Sequence, residues 1–269
     1  MQSITLNNGV EIPQLGLGTY QMRGDECEDA VTSALDMGYR HIDTAEFYNN
    51  ETAIGRAIAD YNRDDLFITS KVWRTNLEHD DVIRACNDSL DRLNTDYLDL
   101  YLIHWPNNDV NLEETLNALH ELYDEGKIKA VGVSNFTVNH IKETLEVSNV
   151  PITNNQVEFH PFLYQQELMA YCFQHDIAVT AYAPIARNKV AENDAIKAVA
   201  EKHCVSPAQV SIAWLLKHGI VAIPKSSTER HLRENWEAQH VSLDEEDMAR
   251  IDDVPQERLI EPGFAEFDH

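Results

Sequence analysis

The chain has 269 residues, 43% of them hydrophobic, so it is long enough to bury a large core and ordinary enough in composition to be globular. Its 46 acidic against 21 basic residues leave a formal charge of −25, which repels nucleic acid and anionic membranes and excludes both as partners. No apolar run is long enough to span a bilayer, Met1 to Thr5 lacks the basic and apolar pattern of a secretory leader, and Cys27, Cys86, Cys172 and Cys204 show no paired spacing. Free thiols, a reducing cytoplasm and no metal site are the expectation.

The acidic surplus is spread over the chain, as in Asp64-Asp65, Glu78-His79-Asp80-Asp81 and Asp244-Glu245-Glu246-Asp247, and reads as a solvated surface. Such a surface repels itself unless salt screens it, and the Debye length is only about 3 Å at 1 M. A host with a salt-rich cytoplasm, a halophile, is the corresponding expectation.

In chain order, Ile4-Thr5-Leu6 and Val10-Glu11-Ile12 flank Asn7-Asn8-Gly9, a hairpin signal, and this hairpin is expected to plug one end of the repeating strand and helix pattern. Leu15-Gly16-Leu17-Gly18-Thr19 then reads as a small-residue strand. The glycine pair fails as a dinucleotide fingerprint, because the third glycine would fall at Gln21. A helix is expected around Asp25 to Met37, and from there strand and helix alternate.

Seven further strands are expected at His41–Asp43, Leu66–Val72, Tyr97–His104, Ala130–Ser134, Thr153–Glu158, Ala178–Ala183 and Val221–Pro224. Helices fit between them, for example Leu112–Glu125 with Leu116, Leu119, His120 and Tyr123 at helical spacing and Gly126 as the stop. Asp194–His203 and Pro207–His218 both fall before the last strand. Eight such units predict an α/β chain folded as a closed (β/α)8 barrel of the TIM type, one domain over residues 1–269.

Sites in that architecture lie at the C-terminal ends of the strands. Asp43, Lys71, His104, Ser134-Asn135, Gln156, Tyr182 and Lys225 all fall at or near those ends. The stretch after the second strand, Asp43-Thr44-Ala45-Glu46-Phe47-Tyr48-Asn49-Asn50-Glu51, sets an acid and a phenol side by side and opens a helix at Asn49 or Asn50. A phenol has a reference pKa of about 10, so acid catalysis by Tyr48 calls for a cation nearby and a carboxylate to hold that cation.

The blocks Gly38 to Gly55, Tyr97 to Leu100 with His104-Trp105-Pro106, Gly126 to Lys129 with Gly132-Val133-Ser134-Asn135-Phe136, Asn155-Gln156-Val157-Glu158 with His160-Pro161, and Ile223-Pro224-Lys225-Ser226 together carry a resemblance over nearly the full length. In this order and spacing the chain resembles the aldo-keto reductase family, in particular its compact bacterial and archaeal-type members.

The resemblance implies NADPH-dependent reduction of small aldehydes or keto sugars, with Asp43, Tyr48, Lys71 and His104 as catalytic tetrad. Lys71, held charged by Asp43, is expected to lower the pKa of Tyr48, the proton donor, while His104 orients the carbonyl oxygen. The resemblance carries Ser134, Asn135 and Gln156 to the nicotinamide carboxamide, Tyr182 to the ring that stacks on it, and Thr19 to its ribose or the mouth. Lys225, Ser226, Ser227 and Thr228 would hold the 2′-phosphate of NADP, and Glu234 and Asn235 would reach adenine.

Where an arginine is usual in the family this chain has His231, which implies NADPH preferred with NADH partly tolerated. Tyr20, Trp73 and Trp105, with Phe47 beside them, are expected to line the substrate mouth. A monomer is expected from the resemblance alone. Two alternatives stay open: Lys71 as a Schiff-base nucleophile, which its pairing with Asp43 disfavours, and a cofactor-binding regulatory protein on the same fold without turnover.

Overall fold

The computed structural model describes residues 2–265 and 267. Among them, strands β1 (Ser3–Thr5) and β2 (Glu11–Pro13) form an antiparallel hairpin. Eight parallel strands come next: β3 (Leu17–Gly18), β4 (His41–Asp43), β5 (Phe67–Val72), β6 (Leu100–Ile103), β7 (Val131–Ser134), β8 (Ile152–Glu158), β9 (Ala178–Tyr182) and β10 (Val221–Ala222). They neighbour one another in chain order. The helices are α1 (Gly24–Met37), α2 (Glu51–Ile58), α3 (His79–Leu93), α4 (Leu112–Asp124), α5 (Val138–Val147), α6 (Gln166–Gln174), α7 (Asp194–His203), α8 (Pro207–Lys217), α9 (Glu229–Glu237) and α10 (Glu245–Asp252).

The two edge strands also meet. The amides of Gly16 and Gly18 donate to the carbonyls of Ala222 (2.9 Å) and Pro224 (3.2 Å), so the curled sheet is stitched first strand to last, as in a (β/α)8 barrel. This explains the glycine pair that failed as a fingerprint. A Cβ on Gly18 would lie 2.6 Å from the Ile223 carbonyl oxygen, and one on Gly16 would lie 2.6 Å from Nδ1 of His41. The closure needs the close approach at Gly18, and the buried His41 ring needs the one at Gly16.

The hairpin turns through Asn8-Gly9, with the Leu6 amide bonded to the Val10 carbonyl at 2.8 Å. Leu6 and Ile12 pack with Phe67, Leu100, Leu102 and Val221 in a cluster separate from the larger strand-on-helix core. Since side chains alternate along a strand, this second cluster is the interior of the curled sheet, and the hairpin seats against it as expected. Several strands are shorter than predicted at their ends. Before β6, for example, the carboxylate of Asp99 accepts from the Ile68 amide, so a side chain replaces part of the ladder.

Alternation also decides where the chemistry points. In β5, Phe67, Thr69 and Lys71 share the inner face, while Ile68 packs outward and Ser70 bonds outward to Glu51 at 2.5 Å. In β4 the inner residues are His41 and Asp43, and His41 meets Phe67 edge-on and bonds Thr69 through Nε2 at 3.1 Å. Two layers above the hairpin, at the C-terminal ends, the interior becomes Asp43, Lys71 and Gln156.

Candidate active site

Lys71 is fully buried, and its ammonium donates to Oδ1 of Asp43 at 2.6 Å and to the Thr44 carbonyl at 2.7 Å. The other carboxylate oxygen of Asp43 accepts from the Gln156 side chain at 2.7 Å. Burial draws the Lys71 amine below its ordinary value, while the Asp43 carboxylate pulls the other way. An amine so held is a fixed cation, and this geometry weighs against a Schiff-base nucleophile.

Tyr48 closes a 3-10 turn over Glu46–Tyr48, and its ring face stands 5.0 Å from the Lys71 nitrogen. The Tyr48 and His104 rings are 5.6 Å apart and nearly perpendicular. The four residues expected as a tetrad are thus brought together. The direction of the Tyr48 shift differs from the expectation: burial raises its hydroxyl well above the ordinary tyrosine value, with Asp43 adding to the effect. Desolvation of a phenolate is the dominant effect in this site.

His104 is held well below its usual range by burial and by the Lys71 charge, so its imidazole is neutral near pH 7. Its Nδ1 is buried without a hydrogen-bond partner among the described residues. An orphaned N–H costs more than an orphaned lone pair in a ring already desolvated, which favours the proton on Nε2, the nitrogen left to face the cleft.

A second network continues from the tetrad around the strand ends. The Ser134 hydroxyl donates to the Gln156 carbonyl (2.8 Å), the Asn135 amide donates to the His104 carbonyl (3.0 Å), and the Tyr182 hydroxyl donates to Oδ1 of Asn135 (2.7 Å). Ser134, Asn135, Gln156 and Tyr182 are therefore one connected surface beside the four residues expected as a tetrad. Thr19 is buried, and its hydroxyl is committed to the Asp43 carbonyl (2.9 Å), so it braces the strand end rather than standing free in the mouth.

At the mouth, Trp73 stacks on Phe47 at 3.9 Å and meets His104 edge-on at 5.1 Å. Tyr20 is 48% exposed and sits 5.0 Å from Tyr48. Trp105 lies deeper, nearly buried, against Phe264 of the C-terminal tail.

The nucleotide-end residues are arranged differently. Lys225 and Thr228 are exposed, Ser226 is buried and accepts from the Thr228 amide (3.2 Å), and Thr228 precedes α9 without capping it through its side chain. A cation, hydroxyls and the free first-turn amides of a helix form a donor set that fits a phosphate. His231 is exposed, Glu234 half-buried and Asn235 buried.

Sequence reasoning missed several supports. Asn50 stands at the start of α2, but its side chain does not cap the helix. Instead it accepts from the Thr44 hydroxyl (2.6 Å) and donates to the carbonyls of Thr19 (3.0 Å) and Met22 (3.1 Å), tying the catalytic loop to the first strand. Glu46 bonds the Trp73 amide and Asn76, holding the aromatic mouth. The turn after β9 puts Ala183, Ala186, Arg187 and Asn188 in left-handed backbone with no glycine to announce it.

The family model described as "Aldo/keto reductase family" matches residues 14–256. The chain is 43% identical to the glyoxal reductase of Bacillus subtilis (strain 168), covering 97% of this chain and 95% of that one. It superposes with a TM-score of 0.94 on the crystal structure of MGS-M4, an aldo-keto reductase from a Medee basin deep-sea metagenome library, at 40% identity and 100% coverage of both chains. A second solved structure, the aldo-keto reductase AKR2E5 complexed with NADPH, gives a TM-score of 0.92 at 34% identity, covering 97% of this chain and 90% of that one. Its fold, its site and these likenesses agree: the chain belongs to the aldo/keto reductase family.

Proposed function

We propose that this protein reduces small aldehydes, α-dicarbonyls and keto sugars to alcohols with NADPH, and that Tyr48 is the proton donor. The observation that carries the reading is the buried Lys71 ammonium, bonded to Asp43 and facing the Tyr48 ring at 5.0 Å, with neutral His104 across from it. The glyoxal reductase relative supports the small substrate class, and the NADPH-bound neighbour supports the nucleotide.

When bound, a nicotinamide nucleotide supplies the hydride to the carbonyl carbon. Ser134, Asn135 and Gln156 would hold its carboxamide and Tyr182 its ring, while Lys225, Ser226, Ser227 and Thr228 would hold the 2′-phosphate. Glu234 and Asn235 would meet adenine. Arg187, in the loop after β9, would offer the nucleotide a further cation.

Among the chain's own groups, His104 donates from Nε2 to the carbonyl oxygen and fixes its position. Tyr48, kept protonated at rest by burial, releases its proton only as negative charge develops on that oxygen. The Lys71 field then favours the tyrosinate, and Asp43 keeps Lys71 charged. Trp73, Phe47, Tyr20 and Trp105 would surround the carbonyl and exclude water.

His231 in place of a guanidinium leaves the 2′-phosphate more weakly held, so NADH is tolerated in part. A single-domain monomer working in a reducing, salt-rich cytoplasm completes the proposal. The acidic composition and the four free cysteines, three of them buried, support it.

The test is NADPH oxidation with a panel of glyoxal, small aldehydes and keto sugars in high-salt buffer, repeated with Tyr48→Phe and with NADH. Turnover lost in the variant, with nucleotide quenching of tryptophan fluorescence retained, is the expected result. Quenching without turnover in the unmodified protein would replace the reductase by a cofactor-binding protein.

A further inference from the structure

Glu158 is a fully buried carboxylate at the end of β8, two residues beyond Gln156. None of its recorded hydrogen bonds goes to the tetrad. Its Oε1 accepts from the Leu259 amide (2.8 Å) and from Nε2 of His160 (2.9 Å), and its Oε2 accepts from the Ile260 amide (3.1 Å). Arg258 adds a guanidinium at 3.8 Å. A buried carboxylate is costly unless charge and hydrogen bonds compensate it, and here much of that compensation comes from the backbone of the C-terminal tail.

The seat is built on both sides. The Gln256 amide donates to the Pro161 carbonyl (3.0 Å), the Gln165 amide donates to the Glu158 carbonyl (2.7 Å), and Arg258 bonds Gln165 (3.3 Å). From Ile260 the tail runs on to Phe264, whose ring meets Trp105 at 5.4 Å and Trp73 at 6.0 Å, both edge-on. The Arg74 guanidinium covers the Phe264 ring at 4.7 Å, and Trp73 in turn touches His104. A cavity of about 690 Å³, lined in part by Glu158, Gln165 and Arg258, adjoins the seat, so the tail there is not locked in on all sides.

From these contacts we infer that Glu158 is a positioning residue of the reaction. Its carboxylate seats Leu259 and Ile260, and the seated tail holds Phe264 against Trp73 and Trp105 as one wall of the carbonyl mouth. The kinetic part of this inference rests on the reductase reading; the seating does not.

The experiment pairs hydrogen exchange over residues 254–265 with steady-state kinetics for glyoxal. In Glu158→Gln, amide exchange in that segment rises at least about tenfold while the strands bearing the tetrad stay protected. KM for glyoxal rises about tenfold, kcat stays within about threefold, and NADPH quenching is unchanged. Leu259→Pro removes one donor from the tail side without touching the buried strand, and it gives the same pattern even if Glu158→Gln fails to fold. Phe264→Ala raises KM with exchange at Ile260 unchanged.

Unchanged exchange in Leu259→Pro would overturn the seat. Raised exchange with unaltered KM would overturn the positioning role. If the unmodified protein turned over no carbonyl, the reductase reading and the kinetic role would fall together, while exchange alone would still judge the seat.

Discussion

The proposed tetrad and the proposed nucleotide end of the molecule are built on opposite plans. Asp43 and Lys71 are buried, bonded to each other and to Gln156, and carried on the inner face of adjacent strands. Lys225, Thr228 and His231 are exposed side chains around the start of α9, and among the described residues no hydrogen bond joins Lys225 or His231 to another side chain. The first region is over-determined by its own contacts, so a change there damages both chemistry and fold. The second is loosely determined, so a change there should shift preference and leave the fold alone.

The largest effect should come from breaking the buried pair. Lys71→Met removes the cation beside Tyr48, and turnover should fall by about 10² to 10⁴. It also strands the Asp43 carboxylate, at a cost of about 3–5 kcal/mol by denaturant unfolding. Adding Asp43→Asn should restore much of the stability and none of the rate. Recovery of both would mean the pair is structural only.

Next comes the layer beneath. Burial depresses His41 to about 4 from an ordinary 6.5, so the folded protein refuses a proton that the unfolded chain accepts. Its contribution is complete above pH 6.5 and is lost as pH falls toward 4, amounting to about 3 kcal/mol. Unfolding curves between pH 7 and 4 should show that slope, and His41→Gln should flatten it.

Within the tetrad, by contrast, pH should have little grip. His104 is already neutral and Tyr48 is kept protonated, so reduction should be level from about pH 6 to 9, with no break near 6.5. A break there would mean that His104 titrates in the working enzyme.

The nucleotide end should respond more gently. His231→Arg should raise the NADPH over NADH preference about tenfold with thermal stability unchanged. If His231 touches the phosphate, NADPH affinity should also weaken in His231→Ala with NADH affinity unchanged. Equal NADPH affinity with and without the imidazole would take His231 out of the site.

The smallest effect is spread over the whole surface. Molar potassium chloride should raise the melting temperature by a few degrees, about 1 kcal/mol, by screening the −25 charge. Equal stability with and without the salt would end the halophile proposal. The surplus is not uniformly solvated, however. Asp244 and Asp247 bond reciprocally at the start of α10, and Lys202 bridges both at 2.6 and 2.8 Å.

The sequence by itself determined the strand order, the hairpin and the placement of the tetrad. Each rests on local physics: alternation along a strand, Asn-Gly in a two-strand turn, and titratable residues where apolar runs stop. The roles proposed for them come from the family resemblance.

Tertiary structure decided what depends on contacts far apart in the chain. Only the closure between β3 and β10 explains Gly18, only the His41 ring beside it explains Gly16, and only the packed loop reassigns Asn50 from helix cap to brace. Tyr48 shifts upward because desolvation, a property of the whole site, dominates and Asp43 adds to it. Glu158 finds its partners 101 and 102 residues later, in a tail whose sequence carries no sign of the seat. Periodicity reads only a residue's near neighbours, whereas burial and the bonds that compensate it are set by what the fold brings across.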